Sequence, residues 1–178
     1  EVEPVRVSGL IEKQRLNKND SEIEFLKQAA EITDAAFSHI LGFIEPGRQE
    51  IEIALELESF IRLAGATTSF EIIVASGPRT AMPHGLASQR VMESGELVTL
   101  DFGAKVSGYH ADMTRTVSLG KPSNSHRAIY EEVLKTQLAS LEAIASGVSC
   151  AHLDQLARSQ LRQAGLADQF SHSLGHGV

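Results

Sequence analysis

Apolar residues first fall into a helical stripe at Leu26, Ala29, Ala30, Thr33, Ala36, Phe37, Ile40 and Leu41. Ser21 and Glu24 read as a capping-box pair ahead of that stripe, and Gly42 closes it. After the turn Glu45-Pro46-Gly47, the residues Ile53, Ala54, Leu57, Ile61 and Ala64 predict a second helix ending at Gly65. Phe70 to Ala75 is a short apolar strand, and Gly77 to Gly85, with Pro78 and Pro83, is a stiff loop presenting His84. Two alternating, β-branched runs, Leu97 to Ala104 and Tyr109 to Leu119, flank the turn-like Lys105 to Gly108 and predict an antiparallel hairpin. Two more helices are expected, from about Ser125 to Ser146 and from about Cys150 to Ala164, the second ended by Gly165. Residues 1–19 show no strong period and read as a lead-in segment or linker, leaving 20–178 as the folded part.

The chain resembles itself at an offset of 100. Leu41, Ile44, Gly47, Ser59, Arg62, Ala64, Gly65, Phe70 and Gly77 recur as Leu141, Ile144, Gly147, Ser159, Arg162, Ala164, Gly165, Phe170 and Gly177. The order helix, turn, helix, glycine, strand repeats with them, which points to an internal duplication. The first copy runs on from Gly77 into the hairpin, whereas the second reaches Gly177 at the end of the sequence. By symmetry a second hairpin with further carboxylates is expected to follow, so the 178 residues read as part of a longer protein whose second half is incomplete.

Composition narrows the class. With 22% charged residues and a 42% hydrophobic share, the chain is globular in type. A net charge of -7 disfavours nucleic acid as a partner. No apolar run reaches the ~18 residues of a membrane span, and no basic-then-apolar leader is present, so a soluble, cytoplasmic protein is expected. The one cysteine, Cys150, excludes an internal disulfide, suits a reducing compartment and reads as a small packing residue.

The chemistry concentrates in the hairpin. With the turn centred between Val106 and Ser107, facing positions sum to 213, and Asp101 lies directly opposite Asp112. Their Cβ atoms would then be roughly 5 Å apart on one face. Two carboxylates that close require a cation or a shared proton, and a divalent metal is the simplest reason for them. Arg115, three positions from Asp112, belongs to the opposite face, whereas Thr114, Thr116 and His110 share the face of Asp112 and can hydrogen-bond ligating carboxylates. His176, between Gly175 and Gly177, is the candidate nitrogen ligand, its place in the repeat setting it beside the sheet that carries the aspartates. Imidazole with carboxylates suits manganese, cobalt, iron or zinc. His84 and His172 are candidates for proton transfer or for hydrogen bonding to a substrate carbonyl. His39, His126 and His152 lie in helical segments without such company. No Gly-x-Ser-x-Gly elbow, dinucleotide fingerprint or Walker pattern occurs.

Ala75-Ser76-Gly77-Pro78, Pro83-His84-Gly85, Leu100-Asp101-Phe102-Gly103-Ala104, Gly108-Tyr109, Asp112-Met113-Thr114-Arg115-Thr116 and His172-Ser173-Leu174-Gly175-His176-Gly177 together resemble the pita-bread metallopeptidases. These include methionine aminopeptidases and the Xaa-Pro peptidases, and the Asp-Phe-Gly-Ala and Asp-x-Thr-Arg-Thr forms are more similar to the Xaa-Pro branch. The resemblance implies an α+β pita-bread fold with a pseudo-twofold duplication. It also implies two adjacent divalent ions held by two Asp, one His and two Glu, with a bridging hydroxide attacking the scissile carbonyl. Asp101 would chelate one ion, Asp112 would bridge both and His176 would bind the second, while His84 and His172 would contact substrate and move protons. The implied activity is hydrolysis of the bond between an N-terminal residue and proline in a small peptide with a free N-terminus. Methionine removal, or a non-catalytic binding module on the same fold, are the alternatives. A homodimer is the candidate assembly. Both implied glutamates fall beyond Val178, so these residues alone are expected to hold metal weakly and to be inactive.

Overall fold

The computed structural model describes residues 6–177. Within the predicted lead-in segment, of which residues 1–5 lie outside the described residues, it places a short helix, α1 (Leu10–Leu16), with no buried side chain. The first long helix, α2 (Asp20–Ile40), starts two residues ahead of the expected capping box. Asn19 rather than Ser21 is the cap: its side chain accepts from the Glu22 amide at 3.0 Å, and the Glu22 carboxylate accepts from the Asn19 amide at 2.7 Å. The other Glu22 oxygen accepts from the Tyr109 hydroxyl at 2.8 Å, so the cap also fastens the helix to the hairpin. The predicted stripe does the burying, through Ala29, Thr33, Ala36 and Ile40.

Helix α3 (Glu50–Leu63) buries Ile53, Ala54, Leu57 and Ile61 as its spacing predicts, and also Glu50. Strands β1 (Thr67–Thr68), β2 (Ile73–Ser76), β3 (Leu97–Phe102), β4 (Ala104–Val106), β5 (Tyr109–His110) and β6 (Met113–Ser118) follow, with a 3-10 turn at Gly77–Ala81 after β2. They form two three-stranded sheets, ordered β1-β4-β5 and β2-β3-β6. The expected strand at Phe70 to Ala75 is thus shifted, beginning at Ile73. In β3, Val98, Leu100 and Phe102 are buried while Leu97, Thr99 and Asp101 alternate with them on a less buried face.

Helix α2 packs on β4 and β5, and α3 on β1 and β2. Besides the Tyr109–Glu22 bond, a buried polar tie crosses the first of these contacts. The Thr33 hydroxyl, inside α2, donates to the Ala29 carbonyl at 2.8 Å and accepts from the Ala104 amide at 2.9 Å.

Two helices complete the chain, α4 (Asn124–Glu142) and α5 (Cys150–Gln163), capped by Ser123 and Ser149. The repeat is visible in atomic detail. The amides of Ala64, Gly65 and Ala66 bond to the carbonyls of Phe60, Arg62 and Ile61, and those of Ala164, Gly165 and Leu166 bond to Gln160, Arg162 and Leu161. After Gly165 the two copies diverge, because the expected second strand does not form among the described residues. Instead a 3-10 turn, Ala167–Gln169, leads into an irregular segment. Cys150, expected to pack, is the exposed first residue of α5.

The chain divides into two compact units. One holds the chain up to Met92 together with Val98–Val117; the other holds Glu93–Leu97 together with the chain from Ser118 onward. Among the described residues no helix is long and apolar enough to cross a membrane.

Replacing Thr33 by valine keeps the shape but leaves the buried Ala104 amide without its acceptor. That substitution should lower stability by about 1–3 kcal/mol, read as a fall in denaturant midpoint at constant m-value.

Candidate metal centre

The hairpin turn is one residue further along than its sequence indicates. Lys105 pairs with His110 and Val106 with Tyr109, so facing positions sum to 215 rather than 213. The cause is the turn type: Ser107 and Gly108 take φ of 50° and 87°, as a two-residue turn with both central residues left-handed requires. The same count holds farther from the turn, where the Ala111 amide bonds to the Ala104 carbonyl and the Leu119 amide to the Glu96 carbonyl. Thr99 and Thr116 also bring their hydroxyl oxygens to 3.5 Å across β3 and β6. Asp101 is therefore level with Thr114, and Asp112 with Gly103. The aspartates are diagonal neighbours rather than a directly facing pair. Diagonal positions on one face stay within reach of a shared ligand.

Gly103 is where the two sheets part. A Cβ there would collide with the Ala111 carbonyl, so only glycine admits the close approach that seats Asp112 beside the β3–β4 junction. Asp101 is held between neighbours: its Cα partner in β2 is Ile73, and its Oδ1 is buried. Arg115 sits on the other face, its guanidinium 5.8 Å from the Phe37 ring centroid. Thr99 and Thr116 thus line the aspartate face, and Arg115 does not.

His84 lies in this same unit, exposed just after the 3-10 turn, with its carbonyl accepting from the Leu86 amide at 3.0 Å. His172 and His176 belong to the second unit, both exposed. Their backbone is held by α5. Arg158 donates from Nη1 to the Phe170 carbonyl at 3.1 Å and from Nη2 to the His172 carbonyl at 2.7 Å. These two carbonyls thus accept from a side-chain guanidinium and not from a neighbouring strand. Asp154 completes the clamp, binding Arg158 Nε at 2.7 Å and accepting from the Leu174 amide at 2.9 Å. Phe170 stacks under the Arg158 guanidinium and meets the His172 ring edge-on.

Both histidines turn Nδ1 toward the carbonyl of the following residue. A carbonyl can only accept, so Nδ1 of His172 donates to the Ser173 carbonyl at 2.7 Å, and Nδ1 of His176 to the Gly177 carbonyl at 3.1 Å. Nε2 then carries the lone pair in each neutral ring. That is the state a metal ligand or a general base needs. Within the first unit the two carboxylates, one partly buried and one exposed, are oxygen donors of the kind a hard or borderline divalent ion takes. Among the described residues, however, no three His, Cys, Asp or Glu side chains come together as a complete cage.

His39, His126 and His152 lie in helices, as expected. His39 pairs with Glu56 at 2.6 Å and stacks on Phe60, and the other two sit in first helical turns where Ser123 and Ser149 cap their amides. Sequence reasoning missed Asp154 and Arg158. Their i,i+4 spacing was the available signal, although by itself it marks an ordinary surface pair.

The family model for metallopeptidase family M24 matches residues 24–178. The chain belongs to this family. M24 relatives include the uncharacterized peptidase YqhT of Bacillus subtilis (strain 168), 46% identical over all of this chain and 51% of its own length. The Xaa-Pro dipeptidase of Pyrococcus furiosus is 40% identical over 97% of the chain and 50% of that protein. Among solved structures, the Xaa-Pro dipeptidase from Bacillus anthracis superposes with a TM-score of 0.94 at 52% identity, covering 96% of this chain and 48% of that one. Prolidase from Pyrococcus furiosus gives a TM-score of 0.94 at 40% identity, covering 97% and 51%. The architecture is accordingly the α+β pita-bread fold of the M24 peptidases. The chain spans about half the length of the curated relatives it matches.

The Arg158 side chain, and then the Leu174 amide, hold the Asp154 carboxyl below its usual value. A lowered folded-state pKa stabilises above the unfolded value of about 3.9, and that stabilisation is lost as pH falls through the folded value. The Leu174 amide should therefore lose its exchange protection only in acid, after correction for the intrinsic rate. In Asp154→Asn it should lose protection at neutral pH as well.

Proposed function

We propose that the protein carrying these residues is a metal-dependent exopeptidase that hydrolyses the bond between an N-terminal residue and proline in a small peptide. The observation that carries this reading is the diagonal pair Asp101 and Asp112, held on the hairpin of a chain that belongs to family M24. The names of its relatives, Xaa-Pro dipeptidase and prolidase, support the proline specificity.

Asp101, Asp112 and His176 would hold divalent ions of the manganese, cobalt, iron or zinc type. When bound, such ions supply Lewis-acid stabilisation of negative charge and acidify water. The remaining work falls to this chain. His84 hydrogen-bonds the substrate carbonyl, and His172, with Nδ1 committed to Ser173, takes or returns a proton at Nε2. Thr99 and Thr116 keep the aspartate face polar. A cytoplasmic setting suits the exposed, reduced Cys150.

The test is metal content and hydrolysis measured together. Asp101→Asn, Asp112→Asn and His176→Ala should each lower bound metal and reduce cleavage of an Xaa-Pro peptide by at least about 100-fold, with the fold retained. Faster cleavage of Met-Ala peptides than of Xaa-Pro peptides by the unmodified protein would overturn the proline assignment.

Residues 1–178 expressed by themselves should bind metal weakly and cleave neither peptide, since the two glutamates implied by the family resemblance are not among them. Calorimetric titration with manganese, and turnover of an Xaa-Pro dipeptide, measure this directly.

A further inference from the structure

The most buried charge among the described residues lies away from the aspartate pair. Glu50, at the first position of α3, is 0% exposed, and none of the roles proposed above uses it. Its Oε1 accepts from the Ser76 amide and hydroxyl, both at 2.8 Å. Its Oε2 accepts from Arg79 Nε at 3.1 Å, the Ser88 amide at 3.2 Å and the Ser88 hydroxyl at 2.7 Å. Removing a carboxylate from water is costly unless donors surround it, and here each oxygen is met by a backbone and a hydroxyl donor, with a guanidinium added on Oε2.

These donors share one property: they belong to the His84 loop or to its roots. Ser76 is the last residue of β2, immediately before the loop, and Ser88 is on its returning side. Arg79, within the loop, donates to Glu50 through Nε and to the Leu86 carbonyl through Nη2 at 2.6 Å, so it spans the loop from within. Arg90 ties the returning side back to the Ser76 hydroxyl. The return path is also bonded to the start of α3, where the Glu50 and Ile51 amides donate to the Arg90 and Ser88 carbonyls at 3.0 and 2.9 Å. Those amides belong to the helix's first turn, which has no intrahelical partner to offer them. Below His84, Gly85 is packed against Ala75 and Met82 closely enough that a Cβ would come within 3.3–3.4 Å of them. Between these fastenings His84 itself is exposed.

We infer that Glu50 is the positioning residue of His84: its carboxylate clamps both ends of the loop so that the imidazole is presented in one place. The assignment rests on the substrate-contacting role proposed for His84. A carboxylate does this better than an amide. Every group that meets it is a donor, so a glutamine would turn an N–H against at least one of them.

Amide hydrogen exchange and peptide hydrolysis by the intact protein test it, on Glu50→Gln, His84→Ala and the double variant. In Glu50→Gln, protection should fall across residues 77–91 while α2 and β3 keep theirs. The kcat for an Xaa-Pro peptide should drop about 10- to 100-fold, with KM changed by less than about threefold, as misplacement of a catalytic group predicts. The double variant should be no slower than His84→Ala alone. Unchanged protection in the loop, or losses that multiply in the double variant, would overturn the assignment. If the unmodified protein does not cleave the peptide, the functional reading fails and the exchange result alone decides the clamp. Should Glu50→Gln not fold, Ser88→Ala removes one hydroxyl donor from the carboxylate and is judged by the same readouts.

Discussion

The turn at Ser107 and Gly108 sets the register of the hairpin, and the register sets what Asp101 and Asp112 can do. Side chains alternate across a strand, so a slip of one residue would send one aspartate to the face occupied by Arg115 and Phe37. A slip of two would preserve the face and change the neighbours. That second difference separates a facing pair from the observed diagonal one. The left-handed backbone at both turn residues fixes the choice, and Gly103 makes room for it where the strands of the two sheets part. The rest of the first unit supports this arrangement. Helix α2 is bonded to the hairpin by Tyr109 on Glu22 and by the Ala104 amide on Thr33.

The two units solve a common problem in parallel ways. A histidine on an irregular segment has no ladder to hold it, and in each unit a carboxylate on the second helix of the repeat takes over that task. Glu50 on α3 gathers Ser76, Arg79 and Ser88 around the His84 loop; Asp154 on α5 gathers Arg158 and the Leu174 amide around the segment of His172 and His176. The carboxylates are not equivalent in the repeat, since Glu50 corresponds to Cys150 and Asp154 to Ala54. They also differ in surroundings: Glu50 is wholly buried, whereas Asp154 and Arg158 are partly solvated and form a weaker tie. The duplicated helix pair has therefore been given its polar clamps separately.

Much of this was legible in the chain. The stripes that define α2 and α3 are the buried faces, because apolar residues recurring every 3.6 positions line one side of a helix. The offset of 100 survives as matching hydrogen bonds at Gly65 and Gly165, since helix ends demand particular partners wherever they occur. What was not legible depends on choices that several residues can satisfy. Asn19 and Ser21 are both competent caps, and only the backbone decides between them. A turn anywhere in Lys105 to Gly108 fits the alternation. Glu50 reads as a first-turn acid, which is common at helix starts, and nothing local marks it as the point where Ser76 and Ser88 converge. The strand expected after Gly165 does not form among the described residues, where the Phe170 and His172 carbonyls accept from the Arg158 side chain and not from a strand, a partner that the sequence pattern does not reveal.

The hairpin's register and the close approach at Gly103 set the placement of the aspartates. Val98, Leu100 and Phe102 are buried beneath β3, which is paired with β2 on one side and β6 on the other. This differs from small metal-nucleated domains, where binding energy is folding energy. The ordering cost of two ligands is met in advance by apolar burial and backbone pairing. Metal affinity in the intact protein then depends on how many further ligands join the hairpin. A fold built in this way can keep its shape when the ion is removed, and that separation is what allows metal loss and unfolding to be measured as distinct events.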